Sequence, residues 1–169
     1  HLVVYEENYN DVMGILWDIR HNQQLKKLNA VVFLTLKNKG RAAGLGFTPL
    51  TQEHYTAMVT YCLNPDHHIS FGSDSCGCHK VEAALKGMPQ EDAIKTMTDP
   101  CESGLFSGFA NAKGIGFPCS FMEGIEPGIT LLTHDFQEYW TIGLAAWRTK
   151  LLAGKRHCPH YHESALKRE

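Results

Sequence analysis

Asn29-Ala30-Val31-Val32-Phe33-Leu34-Thr35-Leu36 is the stretch on which the fold turns. It is short, rich in β-branched and aromatic residues, and has no 3.6-residue period, so it reads as a buried β-strand. Upstream, Val12, Ile15, Leu16 and Ile19 fall at i, i+3, i+4 and i+7, one face of a helix, and residues 2–5 read as an earlier strand. Downstream, a loop with Gly40, Gly44 and Gly46 leads to Thr48-Pro49. This pair is expected to open a second helix, with proline in its first turn and Glu53 near its positive end. Tyr55, Met58, Val59 and Cys62 supply the apolar face of that helix. Residues 68–71 are expected to form a third strand, and Val81, Ala84, Leu85 and Met88 repeat the helical spacing. A β-α-β-α-β-α order implies parallel strands joined by crossover helices. Three such units are too few for a closed eight-stranded barrel, so residues 1–90 read as α/β with parallel strands.

The texture changes after Met88-Pro89, where glycine, proline and cysteine become frequent. Residues 105–110 and 115–119 read as two short strands joined by Asn111-Ala112-Lys113-Gly114, a hairpin turn with glycine where positive φ is needed. Residues 135–153 return to a helical pattern, with Phe136, Trp140, Leu144, Trp147 and Leu151 near one face. Gly143 is a candidate break and Gly154 a candidate C-cap. Residues 91–162 are therefore expected to form a small cysteine-rich domain of hairpin plus helix, and residues 163–169 a polar tail.

The 169 residues are 43% apolar and 20% charged, with a net charge of −2. No basic field points to nucleic acid, and no apolar run is long enough to cross a bilayer. No signal peptide is visible, so a cytoplasmic protein is expected. The first residue is His1 and an apolar run begins at once, which reads as a piece of a longer chain. No Gly-x-Ser-x-Gly elbow, phosphate loop or paired-carboxylate site is present.

Of six cysteines, four stand out. Cys101 is followed by twelve residues, Gly114, four residues and Cys119, so the hairpin is expected to return the second thiol near the first. Cys76 lies just past the third expected strand, at the carboxyl end of the parallel layer where sites gather. Cys158 follows the last helix. Four thiolates from separate loops suit a cubane cluster, with one protein sulfur for each iron. They suit zinc too, and His160 and His162 in the tail add imidazoles. Scattered inert cysteines are a third reading. Cys78, two residues from Cys76, stands as an alternative ligand.

The pattern C-x9–15-G-x4-C with a distant later cysteine resembles the twitch or SPASM extension of radical S-adenosylmethionine (SAM) enzymes. Here it runs from Cys101 through Gly114 to Phe117-Pro118-Cys119, with Cys158 as the later cysteine and Cys76 matching one that some of these families add after the sixth barrel strand. Residues 1–8, 30–41 and 69–76 resemble the fourth, fifth and sixth barrel strands with their exits, which implies that residues 1–90 form a partial (β/α) barrel of about three parallel strands. The resemblance implies an auxiliary 4Fe-4S cluster ligated by Cys76, Cys101, Cys119 and Cys158, with SAM bound in the complete enzyme. It implies a parent enzyme in which a 5′-deoxyadenosyl radical takes hydrogen from a peptide or small-molecule substrate. The family's C-x3-C-x2-C triplet is absent from the sequence. The chain alone is therefore expected to be inactive, and its expected partner is the N-terminal barrel half, on the same or a separate chain. Tyr5, Glu6, Lys37 and Arg41 lie where the fourth and fifth strands finish, and read either as walls for SAM or as exposed loop charges. A stand-alone, non-catalytic zinc-binding or electron-transfer module is the alternative to the enzyme reading.

Overall fold

Burial alternates residue by residue along Val31–Thr35: Val31, Phe33 and Thr35 are buried, whereas Val32 and Leu34 are half-buried. That period of two is the pleat of a strand with one face in a core. The computed structural model describes residues 1–25, 27–66, 69–99, 101–125 and 127–152. The chain divides into two compact units, His1–Cys101 and Glu102–Glu169.

The first unit runs β1 (Leu2–Val4), α1 (Tyr9–His21), β2 (Val31–Thr35), α2 (Gln52–Leu63), β3 (Phe71–Ser73), α3 (Cys78–Leu85) and α4 (Glu91–Thr96). The strands form one sheet in the order β1-β2-β3, and both pairings are parallel. The unit is thus α/β with a three-stranded parallel sheet, as the alternating pattern predicts. Val3 pairs with Leu34, and Phe33 with Ser73. Phe33, Leu16, Tyr55, Met58 and Leu85 are the fully buried heart of the core, drawn from the sheet and α1 to α3. The other sheet face carries Val3, Val32 and Leu34, and Val3 is 44% exposed. Ile69 shares the parity of Phe71 and packs into the helix-side core.

Several boundaries differ from those expected. Thr51, not Pro49, sets the start of α2: its side chain accepts the His54 N–H at 3.2 Å, a hydroxyl N-cap. Pro49 instead forms a bridge with Tyr5. The third strand begins at Phe71 rather than at His68, which lies outside the described residues. α3 stops at Leu85, and Gly87 follows with φ 80°, a left-handed conformation that favours glycine at a helix end. α4 stays with the first unit through Ile94, which packs on its core, so the change of texture at Pro89 does not coincide with the division after Cys101.

In the second unit, β4 (Phe109–Ala110), β5 (Ile115–Phe117) and β6 (Ile129–Thr130) form an antiparallel sheet in that order. The Asn111 side chain accepts the Lys113 and Ile115 N–H groups at 2.9 and 3.0 Å, and Gly114 takes φ 71°. This local bonding makes the expected hairpin turn. Residues 105–107 are not strand, because their N–H groups turn back onto the Glu102 carbonyl. The final helical stretch is broken, as Gly143 predicts: α5 (Phe136–Glu138) runs into a π-helical turn at Tyr139–Gly143, and α6 (Ala145–Leu152) follows. A Cβ on Gly143 would lie 1.9 Å from Ile129 Cδ1, so glycine permits that turn to sit on β6. Gly154 lies outside the described residues. No helix among the described residues is long and apolar enough to cross a membrane.

Candidate thiol site

β2 delivers its residues to the core side at every second position, and the parity continues past its end to Lys37. The Lys37 side chain is only 5% exposed. A buried ammonium needs a counter-charge, and Asp74, just past β3, supplies it at 2.5 Å. Asp74 is itself fixed from several sides. Its Oδ1 accepts the Thr35 hydroxyl at 3.0 Å, and its Oδ2 accepts the Thr35 N–H at 3.3 Å. Its N–H donates to Phe33 O at 3.0 Å, and its carbonyl accepts the Gly77 N–H at 2.8 Å. The Ser73 hydroxyl donates to Asp74 O and accepts from Tyr55, both at 3.1 Å.

This turn carries Cys76 and leads into Cys78, the first residue of α3. Burial pushes the Cys76 thiol up to about 11, against the opposing charge and hydrogen bond of Lys37, and Asp74 and Cys101 push further upward. Burial, then the Glu82 carboxylate, raises Cys78, while the Cys101 N–H bonds to its sulfur and works the other way. Cys76, Cys78 and Cys101 are therefore electrostatic neighbours at the carboxyl end of the parallel sheet, within the first unit. All are thiols, as are Cys62 and Cys119. Cys62 is core packing: it is 3% exposed and burial raises it to about 12.

Cys119 belongs to the second unit and directly precedes the turn Ser120–Met122. The Gly104 N–H donates to Pro118 O at 3.1 Å, and Trp147 Nε1 donates to Ser103 O at 2.9 Å. These bonds hold the start of that unit beside the residue preceding Cys119. Tyr139 feels both the Cys119 thiol and the Arg148 guanidinium, although burial is the largest influence on it. Arg148 Nε donates to Gly104 O at 2.7 Å, but its Nη2 is buried with no hydrogen-bond partner among the described residues. Cys158 lies outside the described residues.

Of the four expected ligands, Cys76 and Cys101 belong to the first unit, as does Cys78, whereas Cys119 belongs to the second and Cys158 lies outside the described residues. Among the described residues, no three of His, Cys, Asp and Glu are arranged to hold a metal ion. The fit of an iron–sulfur cluster rests on donor chemistry. Soft thiols lie near a buried cation in the first unit, donors of the kind that iron–sulfur clusters and zinc take. Protonated thiols must lose their protons to ligate, so loading would release protons and weaken at low pH.

A second polar group lies at the end of β1. His54 Nδ1 is 2.8 Å from Glu6 Oε2 and its ring stacks on Tyr9 at 4.0 Å. Burial raises the Glu6 carboxyl, but hydrogen bonds from Thr51 and His54 outweigh it and hold the group below its ordinary value. Glu6 therefore anchors the start of α2, and Tyr5 rests against Phe47. The second unit also has an open cavity of about 500 Å³ lined by Phe106, Phe109, Leu131, Phe136, Tyr139 and Trp140, with no cluster of reactive groups.

Residue spacing did not single out Asp74 or Gly77. Lys37 had a signal in its parity with Val31, Phe33 and Thr35. Gly77 is required by space: a Cβ there would lie 2.2 Å from Ser73 Oγ, 2.8 Å from Thr35 Oγ1 and 3.0 Å from Asp74 Oδ1. Gly77→Ala is therefore expected to cost about 1–3 kcal/mol, the usual penalty of overpacking. Urea denaturation checks this, and an unchanged midpoint would show that the turn yields freely.

No family model, no curated protein and no solved structure matches the chain.

Proposed function

We propose that this chain is the C-terminal region of a radical SAM enzyme, in which Cys76, Cys101, Cys119 and Cys158 ligate an auxiliary 4Fe-4S cluster. The first unit then forms part of a (β/α) barrel, and its strand ends form part of the SAM and substrate cavity. The observation that carries this reading is the position of Cys76 on the turn after β3, next to the buried Lys37–Asp74 pair at the carboxyl end of a parallel sheet. Sites in parallel α/β layers collect at that end. The half-exposed face carrying Val3, Val32 and Leu34 also supports it, because parallel sheets are ordinarily covered on both faces. The missing N-terminal barrel half would be the partner for that face. When bound, the cluster supplies redox chemistry. The chain's own residues hold it, exclude water from it and set the charge around it.

Of the two neighbouring thiols, the family resemblance assigns Cys76 as the ligand, with Cys78 as the alternative. An alanine series tests the ligand set. After anaerobic reconstitution, Cys76→Ala, Cys101→Ala, Cys119→Ala and Cys158→Ala should each lose most bound iron and the broad absorbance near ~400 nm, while Cys78→Ala keeps them. Full iron retention in Cys119→Ala would refute the ligand set. Stoichiometric zinc in place of iron would support the stand-alone module instead.

A further inference from the structure

We propose that the open cavity of the second unit is a binding site for an uncharged, planar aromatic molecule of two or more rings. The inference goes beyond the cluster reading and stands without it, because the cavity is lined from Phe106 to Trp140 and no lining residue is a cysteine. Its volume of about 500 Å³ lies within the ~300–1,000 Å³ span of small-molecule sites. Five lining residues are aromatic: Phe106, Phe109, Phe136, Tyr139 and Trp140.

The walls are fixed before any ligand arrives. Tyr139 is 2% exposed, and its hydroxyl donates to Phe117 O at 2.6 Å. Its ring rests directly on glycine backbone: a Cβ on Gly108 would lie 2.5 Å from the Tyr139 hydroxyl oxygen, and one on Gly116 would lie 2.6 Å from Tyr139 Cε2. The ring therefore cannot sink further into the sheet. Trp140 has the Arg148 guanidinium over one face, 4.7 Å from the ring centroid, and Arg148 Nε is anchored on Gly104 O. Phe136 stacks on Trp140 with planes 18° apart. These three rings come from the stretch where α5 passes into the π-helical turn, and such turns are frequent at functional sites. Two of the five rings stay in water: Phe106 is 77% exposed and Phe136 66% exposed. Exposed rings beside an apolar cavity mark a surface that an aromatic ligand would cover.

The lining also sets the charge of the occupant. Among the described residues it carries no charged side chain, and its one hydroxyl is already bonded. A charged ligand would lose water there without gaining a counter-charge. Aromatic cages for quaternary ammonium groups are the nearest alternative, but the Trp140 ring already has a guanidinium over it, which weakens its pull on a second cation.

The test is a titration of the 169-residue chain with 2-naphthol at neutral pH, followed by proton–nitrogen chemical shifts and repeated with tetramethylammonium. With 2-naphthol the shifts should saturate and concentrate at residues 106–110 and 131–140, and tetramethylammonium should produce none. Trp140→Ala should weaken binding by about tenfold or more, because that ring supplies both buried area and a stacking partner. Ala110→Phe sets a ring into the cavity from β4, where aromatic residues suit a strand, and should abolish binding. Thermal melting reports the fold of each variant. Should Trp140→Ala fail to fold, Ala110→Phe decides. No saturable shift, or equal binding to native and Ala110→Phe protein, would overturn the site. Tighter binding of tetramethylammonium would overturn the uncharged ligand. Tighter binding of a glycine-flanked tryptophan tripeptide would overturn a free molecule as the occupant.

Discussion

Phe33→Ala is expected to destabilise the first unit by about 3–5 kcal/mol, the range for emptying a large aromatic site in a core. Phe33 is fully buried at the middle of β2, the central strand, and its ring lies 6.0 Å from that of Phe71 on β3. The Phe33 carbonyl also receives the Asp74 N–H, so the strand that fills the core also aims the turn bearing Cys76. Whole-domain stabilities are only about 5–15 kcal/mol, so such a loss removes a large share of the unit's stability and lowers its urea midpoint in proportion. Circular dichroism during urea denaturation reads the effect. A midpoint close to that of the native protein would show that the core lies elsewhere. Val32→Ala, on the half-exposed face of the same strand, should cost far less.

The second large effect is on activity. The chain alone, even fully reconstituted, should make no 5′-deoxyadenosine from SAM under strong reductant. By the family resemblance, SAM cleavage needs a cluster held by only three cysteines, which leaves one iron open to the amino and carboxylate groups of SAM. No C-x3-C-x2-C triplet exists in this sequence. The thiols outside the proposed ligand set cannot replace it. Cys62 is core, 3% exposed with its pKa raised to about 12, and Cys78 would stand alone. Joined to a matching N-terminal half, the chain should support 5′-deoxyadenosine formation, and Cys119→Ala should remove the auxiliary cluster while sparing the other. Chromatography of the reaction products checks both statements. Product from the isolated chain would overturn the assignment of its cysteines.

How much of this was legible differs from element to element. The parallel α/β order of the first unit follows from Val12, Leu16 and Ile19 at helical spacing beside a β-branched run, because one-sided burial writes its period directly into the chain, although Ile15, expected on the same face, is exposed. The hairpin at Asn111–Gly114 was equally plain, since its turn is made by local bonding of Asn111 and a positive φ at Gly114. Placing the start of the third strand three residues early had a different cause. β3 is only three residues long and includes Gly72 and Ser73, neither a strong strand former. The short strand β6 was missed for the same reason, as Ile129–Thr130 has no room for a period. The π-helical turn depends on a close approach between Gly143 and Ile129, a tertiary fact that no local pattern carries.

The candidate site divides in the same way. Cys76 could be marked by residue type and by its position after a strand, and Cys101 by residue type, and both belong to the first unit. The pairing of Lys37 with Asp74 joins residues 37 positions apart, so only the finished sheet puts them in register. The need for glycine at position 77 arises from three side-chain oxygens contributed by β2, β3 and the turn, and is likewise invisible before folding.

The central claim is that these cysteines hold iron and sulfide. Metal and acid-labile sulfide analysis of the anaerobically reconstituted chain tests it most directly. The account predicts about four irons and about four sulfides per chain, with a brown colour and broad absorbance near ~400 nm. A colourless protein carrying one zinc per chain, or no metal at all, would contradict it.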